Sequence, residues 1–540
     1  MWARNLLLLG VVAVATWAFV ASVFPFAEPH QRQTRLISNV ASVRTAAGRV
    51  DAAFEKSWLE ANVAPAEPAS DLAVARRLSL ALTGTIPSLE EIRHLESLAP
   101  AERLDSWLAE LLSDRRYADF VAERWARAFV GVEDGPFLLF RRRRFVSWLA
   151  DQLSANEPYD RVVRHLISDS GLWTDTPSTN FITATIQPGE EKGPDANQLA
   201  ARVSRAFLGV RIDCAECHDH PFEPWKQRDF QNLAAFFGST RQSLGGIRDR
   251  TGAYRVENRQ TGKMETITCG VPFERQLLPD SGSTRHRLAA WVTHSKNRAF
   301  AREAVNRAWA LMFGRGLVEP IDNLAAQTPL PAPLDLLADD FVEHGYDWRR
   351  LIEVIAATRA FRLESKAMGE EPSDETAANQ KPDWSVFPLV RLRPEQVVGA
   401  LLQSASLSTI DSESHILVRL ARQAGQRDFI TRYGDGGAEE FEVHGGTIPQ
   451  RLLLMNGQIV HDKTKDNLFF NAATQIAAFA PDDDTAIETV MLAVLTRRPS
   501  SDEHSYFTRQ LAGAKGTKRK ERLNDLVWTL INSTEFSWNH

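Results

Sequence analysis

Two thiols and an imidazole fall within five residues at Cys214-Ala215-Glu216-Cys217-His218. Cys-x-x-Cys-His is the spacing of covalent c-type haem attachment. Two thiols add to two vinyl groups, and the adjacent histidine sets an imidazole nitrogen on the iron. The whole chain has only three cysteines, so two in one turn is more than chance supplies. A redox dithiol, a zinc half-site and an inert pair are the competing assignments for the same residues.

Each reading names its residues. For haem, Cys214 and Cys217 bind the macrocycle and His218 is the proximal ligand. The distal ligand must come from elsewhere, with Met264, His165, His286 and His294 as candidates. For zinc, Cys214, Cys217, His220 and Cys269 form a Cys3His set, which suits tetrahedral coordination and uses every cysteine. A closed set would staple an extracytoplasmic scaffold or interaction protein. If Cys269 stays away, an open position with Glu216 or Asp219 as base would allow metal-dependent hydrolysis. The residues leave open whether the protein is an enzyme. They show no Ser-His-Asp arrangement with local support, and Phe313-Gly-Arg-Gly316 lacks the spacing of a phosphate loop.

The elements that position this site read mainly as helices. Asp195 caps a helix running to about Leu208, with Gly209 as its stop, and this helix delivers the chain into the motif. Pro221 and Pro224 then force a bend before a short helix from Arg228 to Phe237. Upstream, Leu72, Ala75, Leu78 and Leu82 share one helix face and Arg76 and Arg77 fall on the other. Ser88-Leu-Glu-Glu91 is a capping box. The run Arg141 to Arg144 reads as a solvated face. Trp309, Phe313, Leu317, Leu337 and Phe341 recur at core spacing, while Asp322 and Asn323 at a turn are placed to cap a helix or face the site.

The fold class expected is mainly α: two helical domains with a small β-hairpin insert, and an N-terminal transmembrane or signal helix. Residues 1–27 form the membrane anchor or signal segment, because Leu6 to Phe26 is long enough to span a bilayer and lacks a small-x-small cleavage site. Residues 28–68 read as a tether with a helix near 45–62. Residues 69–240 form the N-terminal helical domain with the motif, 241–283 the β-rich insert, and 284–540 the C-terminal helical domain. Haem attachment takes place after export, so the body is expected on the extracytoplasmic, periplasmic side of the cell membrane, with a redox partner or co-exported protein.

Composition supports this frame. The chain is 44% hydrophobic and 24% charged, an ordinary globular balance. A formal net charge of −6 gives no support for nucleic-acid binding. Fourteen Trp and 28 Phe predict large aromatic cores.

Longer segments resemble a family of exported bacterial proteins. The segments are RRLSLALTGTIPSLEEI (76–92), NEPYDRVVRHLISD (156–169) and SRAFLGVRIDCAECHDHPFEPWKQRDFQNLAAFF (204–237), then FAREAVNRAWALMFGRGLVEPIDN (300–323), RLRPEQVVGALL (391–402) and IPQRLLLMNG (448–457). The family joins a planctomycete cytochrome-like domain (domain of unknown function 1549) to a planctomycete-specific C-terminal domain (domain of unknown function 1553). The resemblance implies cytochrome character and export, but no known reaction. Pro331-Ala332-Pro333 lacks a histidine that the family usually carries at that step.

Overall fold

Short-range signals set the helix boundaries. Ser70, Asp114, Asp195, Asp347 and Asp482 each accept a backbone N–H from the first turn of the helix that follows, satisfying donors that the helix cannot. The capping box at Ser88 and Glu91 is complete in both directions. The structure, a computed structural model, describes residues 39–132, 142–186, 193–250, 252–258, 262–365, 383–411, 429–430, 432–433, 447–457 and 471–540. The Leu6–Phe26 run and Arg141 lie outside these residues.

The protein is mostly helical, with small antiparallel hairpins. Strands β1 (Thr240–Ser243) and β2 (Gly246–Asp249) pair, as do β3 (Arg255–Asn258) and β4 (Lys263–Thr266). These hairpins are the expected β insert. Near the other end, β5 (Val390–Arg391) pairs with β6 (Trp538–Asn539). Among the described residues, no helix is long and apolar enough to cross a membrane.

Buried apolar side chains gather into two cores. The first runs from Val43 to Phe387 and is continuous across residue 284. Its centre is aromatic: Trp309 stacks on Phe313 with centroids 4.2 Å apart, and Trp384 meets both edge-on. The expected stripe is there, with Trp309, Phe313, Leu317, Leu337 and Phe341 all buried. The second core joins Leu80 and Ile86 to residues from Leu392 to Phe536. Gly399 lets the two meet, since a Cβ there would stand 2.2 Å from the Gly84 carbonyl oxygen.

Three expectations need correction. The helix anticipated near 45–62 is present as Val40–Ala61, but Val43, Val50, Phe54 and Trp58 are buried in the first core. That part of the presumed tether is therefore body, because its apolar period finds a partner surface. Arg76 and Arg77 are not on a solvent face; both are buried. Arg77 donates to the carbonyls of Phe361, Leu363 and His540 and lies over the Phe387 ring, so its charge meets backbone oxygens in place of water. Of the arginine run, Arg142 is buried and pairs with Glu123, while Arg143 and Arg144 are exposed.

Candidate functional site

The helix Ala196–Leu208 ends at Gly209 in the left-handed region, φ 59°. A Cβ at Gly209 would lie 2.7 Å from Leu324 Cγ, so only glycine lets the 324 loop close on this helix end. The Leu324 N–H donates to the Gly209 carbonyl at 2.8 Å. The chain then enters a 3-10 turn, Asp213–Glu216. Cys214 lies within this turn and Cys217 directly follows it. Ala215 between them is fully buried and anchors the turn, while both cysteines are exposed and in no disulfide.

The two histidines hold opposite tautomers. His218 Nδ1 lies 2.7 Å from the Asp219 carbonyl oxygen. A carbonyl only accepts, so Nδ1 carries a proton, and in the neutral ring Nε2 keeps its lone pair. His218 is exposed. His220 Nδ1 instead accepts the N–H of Glu223 at 2.9 Å and that of Phe222 at 3.3 Å. Its lone pair is engaged, and the proton of the neutral ring sits on Nε2. Metal-ligating histidines donate their other N–H to a carbonyl or carboxylate; His218 has that arrangement and His220 does not.

The turn is held from four sides. Gln227 Nε2 donates to the carbonyls of Glu216 and Cys217 at 3.1 and 3.0 Å. Asn197 Nδ2 donates to Glu216 Oε1 at 2.9 Å, and Asn197 Oδ1 accepts from the Tyr254 hydroxyl. Arg205 forks onto Asp213. Burial acts to raise the Asp213 pKa, but the Arg205 hydrogen bonds and charge outweigh it and hold the carboxyl below the usual range. Asp219 is held low by the Gln227 N–H and by Lys226, which weakens it as a base.

The fourth hold comes from the C-terminal half. Asp322 takes Arg211 at 2.7 Å and Arg205 at 3.6 Å. Asn323 Nδ2 donates to Glu223 Oε1 at 2.9 Å, and Glu223 Oε2 accepts from Trp225 Nε1 at 2.6 Å. Asp322 and Asn323 therefore face the site. Arg205, Arg211, Glu223 and Gln227 position the turn without belonging to the Cys-x-x-Cys-His motif. Only Arg205 and Asp213, opposite charges flanking a glycine stop, gave a local signal.

Other candidates are elsewhere. Cys269 is half-buried against the first core, and burial pushes its thiol pKa up. Among the described residues, no three His, Cys, Asp or Glu side chains gather as a metal site, so Cys214, Cys217, His220 and Cys269 are not brought together. His165 pairs with Asp169, His286 with the Ser283 hydroxyl, and His294 accepts the Lys296 N–H. Glu265 reaches Arg228 beside the motif, so Met264, next on β4, turns to the opposite face and is exposed.

Fold and site together define a mainly helical protein that presents an exposed Cys-x-x-Cys-His turn, clamped by its own C-terminal half. Residues 49–242 match the family model PSCyt2, a protein of unknown function (DUF1549), and residues 284–426 match PSD1, a protein of unknown function (DUF1553). The chain carries these two domains in that order. No curated protein and no solved structure matches it.

Proposed function

We propose that this is an exported, membrane-tethered electron-transfer protein that attaches one haem c through Cys214 and Cys217, with His218 as axial ligand. The observation that carries the reading is the His218 tautomer: Nδ1–H is held by the Asp219 carbonyl and Nε2 is left open on an exposed ring. Both cysteines are exposed, one in the turn and one directly after it, next to His218 in the chain. Each thiol would add across a vinyl group, sulfur to one carbon and its proton to the other, so nothing is released. The bound group supplies one-electron chemistry, and a redox partner protein would exchange with it.

The chain's own residues orient this site. Gln227, Asn197 and the Arg205–Asp213 fork hold the turn, and the Asn323–Glu223 bond fixes the loop after it. The domain name PSCyt2 is in keeping with cytochrome character. The run Leu6–Phe26 supports export and tethering on the periplasmic side. Zinc at Cys214, Cys217, His220 and Cys269 is the weaker reading, since His220 Nδ1 is already engaged and Cys269 packs into the core.

Expression with haem c maturation machinery tests the proposal. The expected result is a mass gain of one haem, a haemochrome spectrum, and loss of both in Cys217→Ser. His218→Ala should keep the mass gain and the haemochrome and shift the visible spectrum of the native protein. A colourless protein of unmodified mass would overturn it.

A further inference from the structure

A cleft of about 340 Å³ opens where the two halves of the chain meet beside the motif turn. One wall is the end of the 196–208 helix, Leu208 to Val210, with Trp225 and Phe273. The rings of Trp225 and Phe273 lie 6.2 Å apart at 48°, leaving an aromatic surface. The opposite wall is Ala299 and Arg302 on the 298–313 helix, with the loop from Leu324 to Leu330. The volume falls at the small end of ligand pockets, which are mostly apolar with few polar groups.

The charge balance of the cleft selects among ligands. Arg302 is the one charged residue of the lining. Its Nε donates to Asp335 at 2.7 Å, and Asp335 and Asp339 also take Arg298. Arg302 is thus already paired with Asp335, which lies outside the lining, and the four side chains together carry no net charge. The side chains of Gln327 and Thr328 form no hydrogen bond among the described residues, which leaves their polar groups for an occupant.

We propose that this cleft binds a planar, uncharged ring compound bearing hydroxyl or carbonyl oxygen, of phenol or naphthol size. The ring packs against Trp225 and Phe273, and its oxygen meets Gln327 or Thr328. Its lining includes none of Cys214, Cys217 and His218, so the proposal stands or falls separately from haem attachment.

Calorimetric titration of the full chain in detergent with 2-naphthol, after subtracting the empty-micelle heat, tests it. The expected result is saturable one-site binding, with 2-naphthoate at least tenfold weaker because Arg302 is already paired with Asp335. Ala299→Phe should fill the cleft and weaken 2-naphthol at least tenfold, with an unchanged circular dichroism spectrum. Should that variant fail to fold, the double variant Gln327→Leu with Thr328→Val on the loop decides, with a severalfold loss expected. Absence of saturable binding, equal binding of 2-naphthoate, or wild-type affinity in a folded variant would each overturn the proposal.

Discussion

Asn323 donates to Glu223 over 2.9 Å, joining two residues one hundred positions apart in the chain. Glu223 in turn receives the Trp225 indole N–H, and its backbone N–H engages His220. A C-terminal asparagine thereby fixes the loop that follows the cysteine turn. Asn323→Ala removes a hydrogen bond to a charged acceptor in a half-buried place. We expect a loss of about 1–2 kcal/mol, read as a lower urea midpoint at constant slope. An unchanged midpoint would show that the clamp contributes no stability.

Gly209→Ala should cost more. The residue sits at φ 59°, and the new methyl would press on Leu324 Cγ and the Glu303 carboxylate. Left-handed strain and overpacking each contribute on the order of 1–3 kcal/mol. A clear drop in melting temperature is expected, larger than for Ala substitution at the open Gly48, which has nothing within 4 Å of an added Cβ. Equal effects at the two positions would refute the close approach.

The three cysteines should separate by reactivity in protein made without haem. Cys214 and Cys217 are exposed, while Cys269 is half-buried and its thiol pKa is raised, chiefly by burial. The thiolate is the reacting form. Native iodoacetamide labelling near pH 8 should modify Cys214 and Cys217 at least about tenfold faster than Cys269, measured by peptide mass spectrometry. Cys269 labelling first would contradict the packing described.

Asp51 gives a pH signature far from the site. Burial, opposed by the Arg359 N–H, pushes its pKa up to about 6 from an ordinary 3.8. A raised folded-state value means the favourable contribution is complete below about 3.8 and is lost as pH rises through about 6. Near neutral pH the charged carboxylate is a cost. Asp51→Asn should therefore stabilise the protein by up to about 2 kcal/mol near pH 7.5, with the gap closing near pH 4. A pH-independent difference in melting temperature would rule out that origin.

Much of this protein is governed by short stretches of chain. Ser88 with Glu91, Asp195 with Gly209, and the spacing of Trp309 and Phe313 specify helices because capping and periodicity act within a turn or two. The cysteine turn is equally local, and so is its grouping of two thiols with His218. Tertiary structure decided the rest, because it depends on partners far along the chain. Arg76 and Arg77 look solvent-facing by period, yet the carbonyls of Phe361, Leu363 and His540 draw Arg77 inward. Val40–Ala61 looked like part of a tether until the 332–343 and 348–357 helices covered its apolar face. His218 and His220 differ by two positions and one residue type lies at both. Their tautomers diverge because Asp219 offers His218 a carbonyl while the bend at Pro221 brings two N–H groups to His220. The turn at Asp322 and Asn323 is legible locally, but that Asn323 reaches Glu223 and holds that bend from one hundred residues away was decided by the tertiary structure.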